Sequence, residues 1–216
     1  MSEIVIELQN ISKRFGEESV LKPVNLSFER GKIYGIVGRN GSGKTVLLKI
    51  ICGFLKPDTG TVTVNGITLD RRHEFPEDVG ILIEKPGFLP QKSGFQTLQY
   101  LSKIRNTAGR ERIREVLELV GLAGVGQKPV GKYSMGMRQR LGLAQALLEN
   151  PGILLLDEPM NGLDDHGAHE MRDLLMQLRS EDRTILLASH IREDIQTLCD
   201  VVYRIDSGRI VLIQVS

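Results

Sequence analysis

A glycine-rich segment in the first quarter of the chain carries residue types that bind phosphate groups. Gly38-Arg39-Asn40-Gly41-Ser42-Gly43-Lys44-Thr45 matches the pattern G-x-x-x-x-G-K-[ST]. Glycines let backbone N–H groups approach phosphate oxygens, Lys44 adds a positive charge for the terminal phosphates, and the Thr45 hydroxyl can contact Mg²⁺. A match alone is compatible with a simple glycine-rich turn. Because this one lies between a predicted strand and a predicted helix, it predicts a nucleotide site.

Two adjacent carboxylates follow an apolar run later in the chain. Ile153-Leu154-Leu155-Leu156-Asp157-Glu158-Pro159 predicts a buried strand that ends in two acids. Ligands of open α/β sheets lie at the carboxyl ends of strands, so both acids are expected beside the phosphate segment. Neighbouring strand residues face opposite sides, so we expect Asp157 to hold Mg²⁺ and Glu158 to polarise an attacking water. Taken alone, the pair is more typical of solvated acids at a strand end.

The elements around these residues alternate between strands and helices. An apolar strand is predicted at 33–37 and a helix at 45–54. The last third of the chain predicts strands at 152–156, 184–188 and 201–205, with helices around 171–178 and 191–198. Such alternation predicts an α/β fold with a largely parallel sheet covered on both faces.

The middle of the chain has a different character. From 86 to 150 the pattern is helical, and Gly121 is placed to end one helix. That helix has apolar residues at i, i+3, i+4 and i+7, namely Ile113, Val116, Leu117 and Val120. We therefore predict one domain over 1–216, with a catalytic α/β core formed by 1–85 and 151–216 and a helical subdomain over 86–150.

Composition limits the possible partners. The 216 residues include 28 basic and 27 acidic side chains, so no basic excess favours nucleic acid. Cys52 and Cys199 lie in apolar surroundings and are expected to be buried, reduced thiols. The sequence has no secretory signal pattern, and its apolar runs are far shorter than the roughly 20 residues that cross a bilayer. We expect a cytoplasmic protein that reaches a membrane only through a partner.

A segment before the two carboxylates indicates which class of nucleotide-binding protein this chain resembles. Tyr133-Ser134-Met135-Gly136-Met137-Arg138-Gln139-Arg140 resembles the signature motif of ATP-binding-cassette (ABC) ATPases, normally Leu-Ser-Gly-Gly-Gln. Other positions that resemble family motifs follow in the family's order: Phe15, Glu84, Asn161-Gly162-Leu163-Asp164 and His190. The resemblance covers essentially the whole chain. It implies a P-loop NTPase fold with a mainly parallel central sheet, an N-terminal antiparallel β subdomain and an inserted helical subdomain.

The resemblance implies a role for each of these positions. Phe15 would stack on adenine, and Ser134 and Gly136 would close over ATP held by a second cassette. Asp164 would link the two sites. Each residue also has a simpler interpretation, because Ser134 suits a helix N-cap and Phe15 is equally typical of a packed aromatic.

Two further positions complete the implied site. His190 would contact the γ-phosphate, although it could be a simple strand-end histidine. Glu84 stands where the family usually has glutamine and would contribute to the nucleotide and Mg²⁺ sites. We expect Arg138 and Arg140 to form a solvated helix face. Three histidines match no metal-ligand spacing and are expected at the surface: His73, His166 and His169.

The resemblance implies an ATP-hydrolysing transporter subunit with ATP and Mg²⁺ as its cofactors. Its expected partners are a separate integral membrane permease and a second, identical cassette with which it dimerises on ATP binding. These partners would place it on the inner face of the cell membrane. Glu84, Met135 and Met137 resemble the subgroup that exports lantibiotics, bacitracin and related peptides. Two alternatives remain open: a cassette ATPase serving DNA repair, translation or cluster assembly, and a nucleotide sensor without turnover.

Overall fold

The chain folds into two β-sheets with helices packed around them. The structure is a computed structural model that describes residues 3–84, 86–105, 108–180 and 183–213. The strands are β1 Ile4–Phe15, β2 Glu18–Glu29, β3 Ile33–Val37, β4 Thr59–Val64, β5 Ile67–Thr68, β6 Val79–Leu82, β7 Ile153–Asp157, β8 Thr184–Ser189, β9 Val201–Asp206 and β10 Arg209–Ile213. The helices are α1 Lys44–Ile51, α2 Gly94–Arg105, α3 Arg110–Leu119, α4 Met135–Leu147, α5 Asp165–Ser180 and α6 Arg192–Leu198, with short 3₁₀ turns at Ala123–Val125 and Val130–Lys132.

The larger sheet has six strands in the order β10-β9-β3-β8-β7-β6. Its pairings are parallel except for that between β10 and β9. Every residue of β7 and β8 is buried, which explains why these strands are continuous apolar runs instead of alternating patterns. The sheet places the carboxyl ends of β3, β7 and β8 along one edge, as predicted.

The smaller sheet is antiparallel, in the order β2-β1-β4-β5, and confirms the expected N-terminal β subdomain. Its strands β1 and β2 extend well beyond 4–8 and 24–28, the short stretches in which apolar and polar residues alternate in places. Irregularities between β1 and β2, for example between Leu8 and Ile11, interrupt the alternation that a pattern search relies on. Strands β5 and β10 were missed because they are short or largely exposed at a sheet edge.

The helical middle packs one apolar face inward, and α4 lies against β6. Ile113, Val116, Leu117 and Val120 are at most 3% exposed, as their spacing predicted. The prediction for Arg140 was wrong. Its guanidinium donates to Val120 O and to Glu170, so it ties α4 to the end of α3 and to α5. Arg138 is exposed, as expected.

Both cysteines are buried thiols, and burial raises the pKa of Cys199 to about 12. Within the described ranges, none of the helices combines the length and hydrophobicity that a membrane span requires.

Candidate active site

The phosphate loop connects β3 to α1, with glycines at its tightest points. Gly43 has φ +107°, and a Cβ there would lie 3.1 Å from Val20 O. A Cβ on Gly38 would lie 2.7 Å from the backbone oxygen of Ile205, which cannot rotate away, so the loop fits here only around a glycine. In the part of the chain that the structure describes, no side chain caps the N-terminus of α1. Its N–H groups and the positive end of the helix dipole therefore point toward an anion site.

Lys44 lies inside this loop and is only 6% exposed. Its Nζ donates to Gly38 O at 2.9 Å and lies 3.6 Å from Glu158 Oε1. The ammonium group is thus held between the loop backbone and a carboxylate at the end of β7. This is the position from which a lysine can contact the terminal phosphates of a nucleotide.

Thr45 and Asp157 form a pair of oxygen ligands suited to a hard cation. Thr45 Oγ1 donates to Asp157 Oδ2 at 2.6 Å, whereas Asp157 Oδ1 is buried and has no hydrogen-bond partner among the residues that the structure describes. Burial raises the pKa of Asp157, and the nearby charges of Glu158 and Glu84 raise it further, while the Thr45 hydroxyl and Lys44 oppose the shift. A buried carboxylate oxygen that lacks a partner fits a bound cation.

The ligand set is too small for a cation held by protein alone. Within the described residues no cluster of three or more His, Cys, Asp or Glu side chains is arranged to hold a metal. Mg²⁺ typically uses one or two carboxylates together with phosphate oxygens and water, and Thr45 with Asp157 fits that pattern. His73, His166 and His169 are exposed, as expected.

Glu158 corrects one expectation. It lies beyond the end of β7 with φ +50°, so the alternation of strand faces does not determine its direction. Its N–H donates to Ala188 O at 2.8 Å, and its carbonyl accepts from Gln139 Nε2 at 3.2 Å. Gln139 was not among the predicted site residues, because its signal in the sequence is just a polar side chain on the buried side of the signature helix. These contacts fix the turn that carries the Glu158 carboxylate.

The Glu158 carboxylate meets a second candidate catalytic residue. His190 Nδ1 lies 2.8 Å from Glu158 Oε2, although 32 residues separate the two in the chain. His190 follows β8 directly, and parallel pairing of β7 with β8 brings both strand ends together. The structure therefore assembles Lys44, Thr45, Asp157, Glu158 and His190 at one edge of the sheet.

Phe15 and Glu84 lie at the margin of this group. Phe15 is 49% exposed, and Lys13 Nζ lies 5.6 Å from the centre of its ring. Glu84 has φ +61°, and its Oε1 accepts a hydrogen bond from Lys49 Nζ at 2.5 Å. Glu84 therefore has Lys49 as its partner instead of Thr45 or Asp157. Lys49 was not among the predicted site residues.

The signature segment begins α4. Ser134 Oγ accepts from Met137 N at 3.2 Å, so the predicted N-cap is confirmed. The segment packs against the loop that ends in Asp164, since a Cβ on Gly136 would lie 3.0 Å from Leu163 Cδ2. Across the part of the chain that the structure describes, no hydrogen bond or ion pair joins Ser134 or Gly136 to the phosphate loop.

A phosphate loop, two strand-end acids, a histidine and a separate capped helix define a P-loop ATPase of the cassette type. A family model described as ABC transporter matches residues 21–161. This chain belongs to the ABC transporter family, and it is an ATP-binding and ATP-hydrolysing subunit. Two of the inferences from the sequence, the fold and the ATPase activity, are thereby confirmed.

The chain resembles curated bacterial relatives over nearly its full length. It is 41% identical to an uncharacterized ABC transporter ATP-binding protein, YybJ of Bacillus subtilis, over 95% of this chain and 94% of that one. It is 40% identical to the bacitracin transport ATP-binding protein BcrA of Enterococcus faecalis, over 97% of this chain and 68% of that one. The lantibiotic transport ATP-binding protein SrtF of Streptococcus pyogenes is 33% identical, over 96% and 90%.

Solved cassettes share the fold. The dimeric bacterial ABC transporter cassette MJ0796 superposes with a TM-score of 0.87 at 25% identity, covering 98% of this chain and 99% of that one. The cbiO1 protein of Clostridium perfringens, part of the transporter complex cbiONQ, superposes with a TM-score of 0.86 at 27% identity, over 99% and 89%. Cassettes of this family dimerise and work with membrane permeases.

Proposed function

We propose that this chain supplies the ATP-driven step of an exporter that removes antimicrobial peptides of the bacitracin or lantibiotic kind. The observation that carries the proposal is the 40% identity to a bacitracin transport ATP-binding protein over 97% of this chain. The similarity to SrtF points to the same class of cargo. The neutral balance of charge gives no competing support for a nucleic-acid partner.

The residues of the strand edge have complementary roles in the proposed hydrolysis. Lys44 and the loop amides bind the β- and γ-phosphates, and Thr45 and Asp157 hold Mg²⁺, which neutralises charge on those phosphates. Glu158 orients the attacking water and accepts its proton. His190, 2.8 Å from Glu158, holds that carboxylate and donates toward the γ-phosphate. Phe15, which presents an exposed ring, stacks on the base.

The second half of the site comes from another copy of the cassette. Ser134 and Gly136 stand at the N-terminus of a thirteen-residue helix, where unpaired N–H groups favour an anion. A γ-phosphate bound by one subunit would accept hydrogen bonds from these N–H groups of the other subunit. Because ADP lacks this phosphate, hydrolysis weakens the dimer. Asp164, whose carboxylate accepts a hydrogen bond from Gly167 N in the first turn of α5, would link the two ATP sites across the dimer interface.

A permease would dock where the helical subdomain, 86–150, meets the core formed by 1–85 and 151–216. A cavity of about 370 Å³ lies at this boundary next to Glu84. Its lining includes Ile83, Phe88, Leu89 and Tyr100. An apolar cavity beside Glu84 suits a permease segment, and binding there would hold the cassette at the cytoplasmic face of the membrane.

Mixing two inactive variants tests the shared site. Lys44→Ala removes the phosphate contact, and Ser134→Glu places a carboxylate where the γ-phosphate would bind. In a head-to-tail heterodimer both defects fall in one site and leave the other site intact. We expect an equimolar mixture to recover a measurable part of the wild-type ATP turnover that neither variant has alone. No recovery, with both variants folded and mixed dimers detected, would contradict the shared site.

The cargo is tested in cells. The chain and the membrane protein that co-purifies with it are expressed in a sensitive bacterium, and growth inhibition by bacitracin and by a lantibiotic is measured. We expect the wild type to raise the inhibitory concentration of one of them and Glu158→Gln to leave it at the empty-vector value. Equal sensitivity in all three strains would refute peptide export while leaving the ATPase assignment intact.

A further inference from the structure

Arg172 and Asp194 form a buried ion pair next to the segment that carries His190. Neither residue has a role in the hydrolysis proposed above. Asp194 is fully buried, and Arg172 Nε donates to its Oδ1 at 2.9 Å. Removing two charges from water costs several kcal/mol, which their attraction often only offsets. Such a pair is therefore a weak source of stability, and its geometry points to a role in orientation.

A serine connects this ion pair to the backbone on both sides of His190. Ser189 Oγ donates to the second carboxylate oxygen of Asp194 at 3.0 Å. Ser189 Oγ in turn accepts a hydrogen bond from Ile191 N at 3.1 Å. Ser189 is 1% exposed, so water does not compete for these bonds. The residues immediately before and after His190 are thus tied to one fixed carboxylate.

The other end of the network is anchored on α5. Arg172 lies on this helix, about two turns after Asp164, and its Nη1 also lies 3.2 Å from Glu193 Oε1. The carboxylate of Asp194, on α6, is consequently held by Arg172 on α5. By contrast, the side chain of His190 is about half exposed, with 51% of its surface accessible. Its position depends on its backbone more than on packing around its ring.

We propose that Ser189 and Asp194 are positioning residues that hold His190 against Glu158, with Arg172 as the fixed counter-ion. The inference rests on the proposed catalytic role of His190. Loss of the serine hydroxyl would release Ile191 N and allow the His190 ring to leave Glu158. An error of about 1 Å in such a contact can cost on the order of 100-fold in rate.

The variant Ser189→Ala tests this inference, because it leaves the Arg172–Asp194 pair intact. We expect ATP turnover to fall roughly 10- to 100-fold with the KM for ATP unchanged. Introduced into a His190→Ala background, the same change should have no further effect on turnover. Ser102→Ala is the matched control, since it also removes a buried hydroxyl, on α2. Should Ser189→Ala not fold, Ser189→Cys replaces it at nearly equal volume.

Histidine NMR supplies a readout that a general loss of stability would not move. The chain has 4 histidines, so the ring signals of His190 can be assigned by comparison with His190→Ala. Ser189→Ala should shift the His190 signals and leave the other three in place.

Four results separate the possibilities. Wild-type turnover in Ser189→Ala, or an equal loss in the His190→Ala background, would overturn the positioning role alone. Unshifted His190 signals would overturn it as well. Wild-type turnover in His190→Ala would instead refute the catalytic role of His190 and the inference with it.

Discussion

The two surfaces that would contact ATP differ in how complete they are within one chain. At the sheet edge Lys44 and Asp157 are 6% and 8% exposed, and each already has a hydrogen-bond partner. At the start of α4, Ser134 is exposed, and among the described residues its hydroxyl bonds only to its own helix. In the proposed function the first surface binds and hydrolyses ATP, whereas the second binds ATP that is held by another copy of the cassette. This difference would account for the dimers that cassettes of this family form.

The largest expected effect comes from the sheet-edge surface. Lys44→Ala should abolish ATP binding and ATP-driven dimerisation, because the buried ammonium group is the charge that meets the terminal phosphates. Isothermal titration and light scattering measure the two effects. Lys56→Ala, an exposed lysine beyond the end of the same helix, is the control and should behave as wild type. ATP-driven dimers of Lys44→Ala would remove the distinction between the two surfaces.

The next effect separates binding from chemistry at the same edge. Glu158→Gln should keep ATP binding and lower turnover by roughly 10²–10⁴, the usual contribution of a general base. The ATP-bound dimer should then persist and become visible by size-exclusion chromatography. Glu115→Gln, on an exposed helix face, provides the control. Unchanged phosphate release by Glu158→Gln would exclude that residue as the base.

A smaller effect concerns the stability of the nucleotide-free protein. Burial raises the pKa of Asp157, so the folded protein disfavours the ionised carboxylate. The free energy of unfolding therefore falls as the pH rises above the pKa of about 3.9 that this group has in the unfolded chain. Asp157→Asn should melt at a higher temperature than wild type at pH 7, with the gap closing toward pH 4. The same variant should lose stabilisation by Mg²⁺ with ATP.

Thermal melts across this pH range check both parts of the prediction. Asp173→Asn, an exposed aspartate on α5, is the reference variant and should show neither effect. A melting temperature of Asp157→Asn at or below that of the wild type at pH 7 would show that the buried carboxylate does not destabilise the nucleotide-free protein.

The smallest effect is expected at the margin of the site. Glu84→Gln keeps an acceptor for Lys49 and removes a charge that helps to raise the pKa of Asp157. Stability should change by less than about 1 kcal/mol, because the pair is largely exposed. The acid limb of Mg²⁺-dependent ATP binding should move to lower pH, as a titration series would detect. Glu74→Gln, in an exposed pair with Lys56, should leave that limb unchanged.

The sequence by itself determined the parts of the site that are continuous in the chain. The glycine-lysine-threonine loop, the apolar strand before it and the strand that ends in Asp157 are local patterns, because glycine geometry and burial on both faces leave few alternatives. The buried face of α3 and the N-cap of α4 are also local patterns, given by the spacing of apolar residues and by a serine just before the helix. Pattern reasoning also placed the acids at the correct sheet edge, since parallel strands share one carboxyl end.

Only the tertiary structure decided how separate segments meet. The left-handed backbone of Glu158, its contact with His190 and the Gln139 bond to its carbonyl arise from packing of β7, β8 and α4. Likewise, Glu84 pairs with Lys49, and Arg140 pairs with Glu170 instead of lying on a solvated helix face. The two members of each pair are far apart in the sequence. These side chains are long and have several possible partners, and the choice among them depends on distances that no single segment contains.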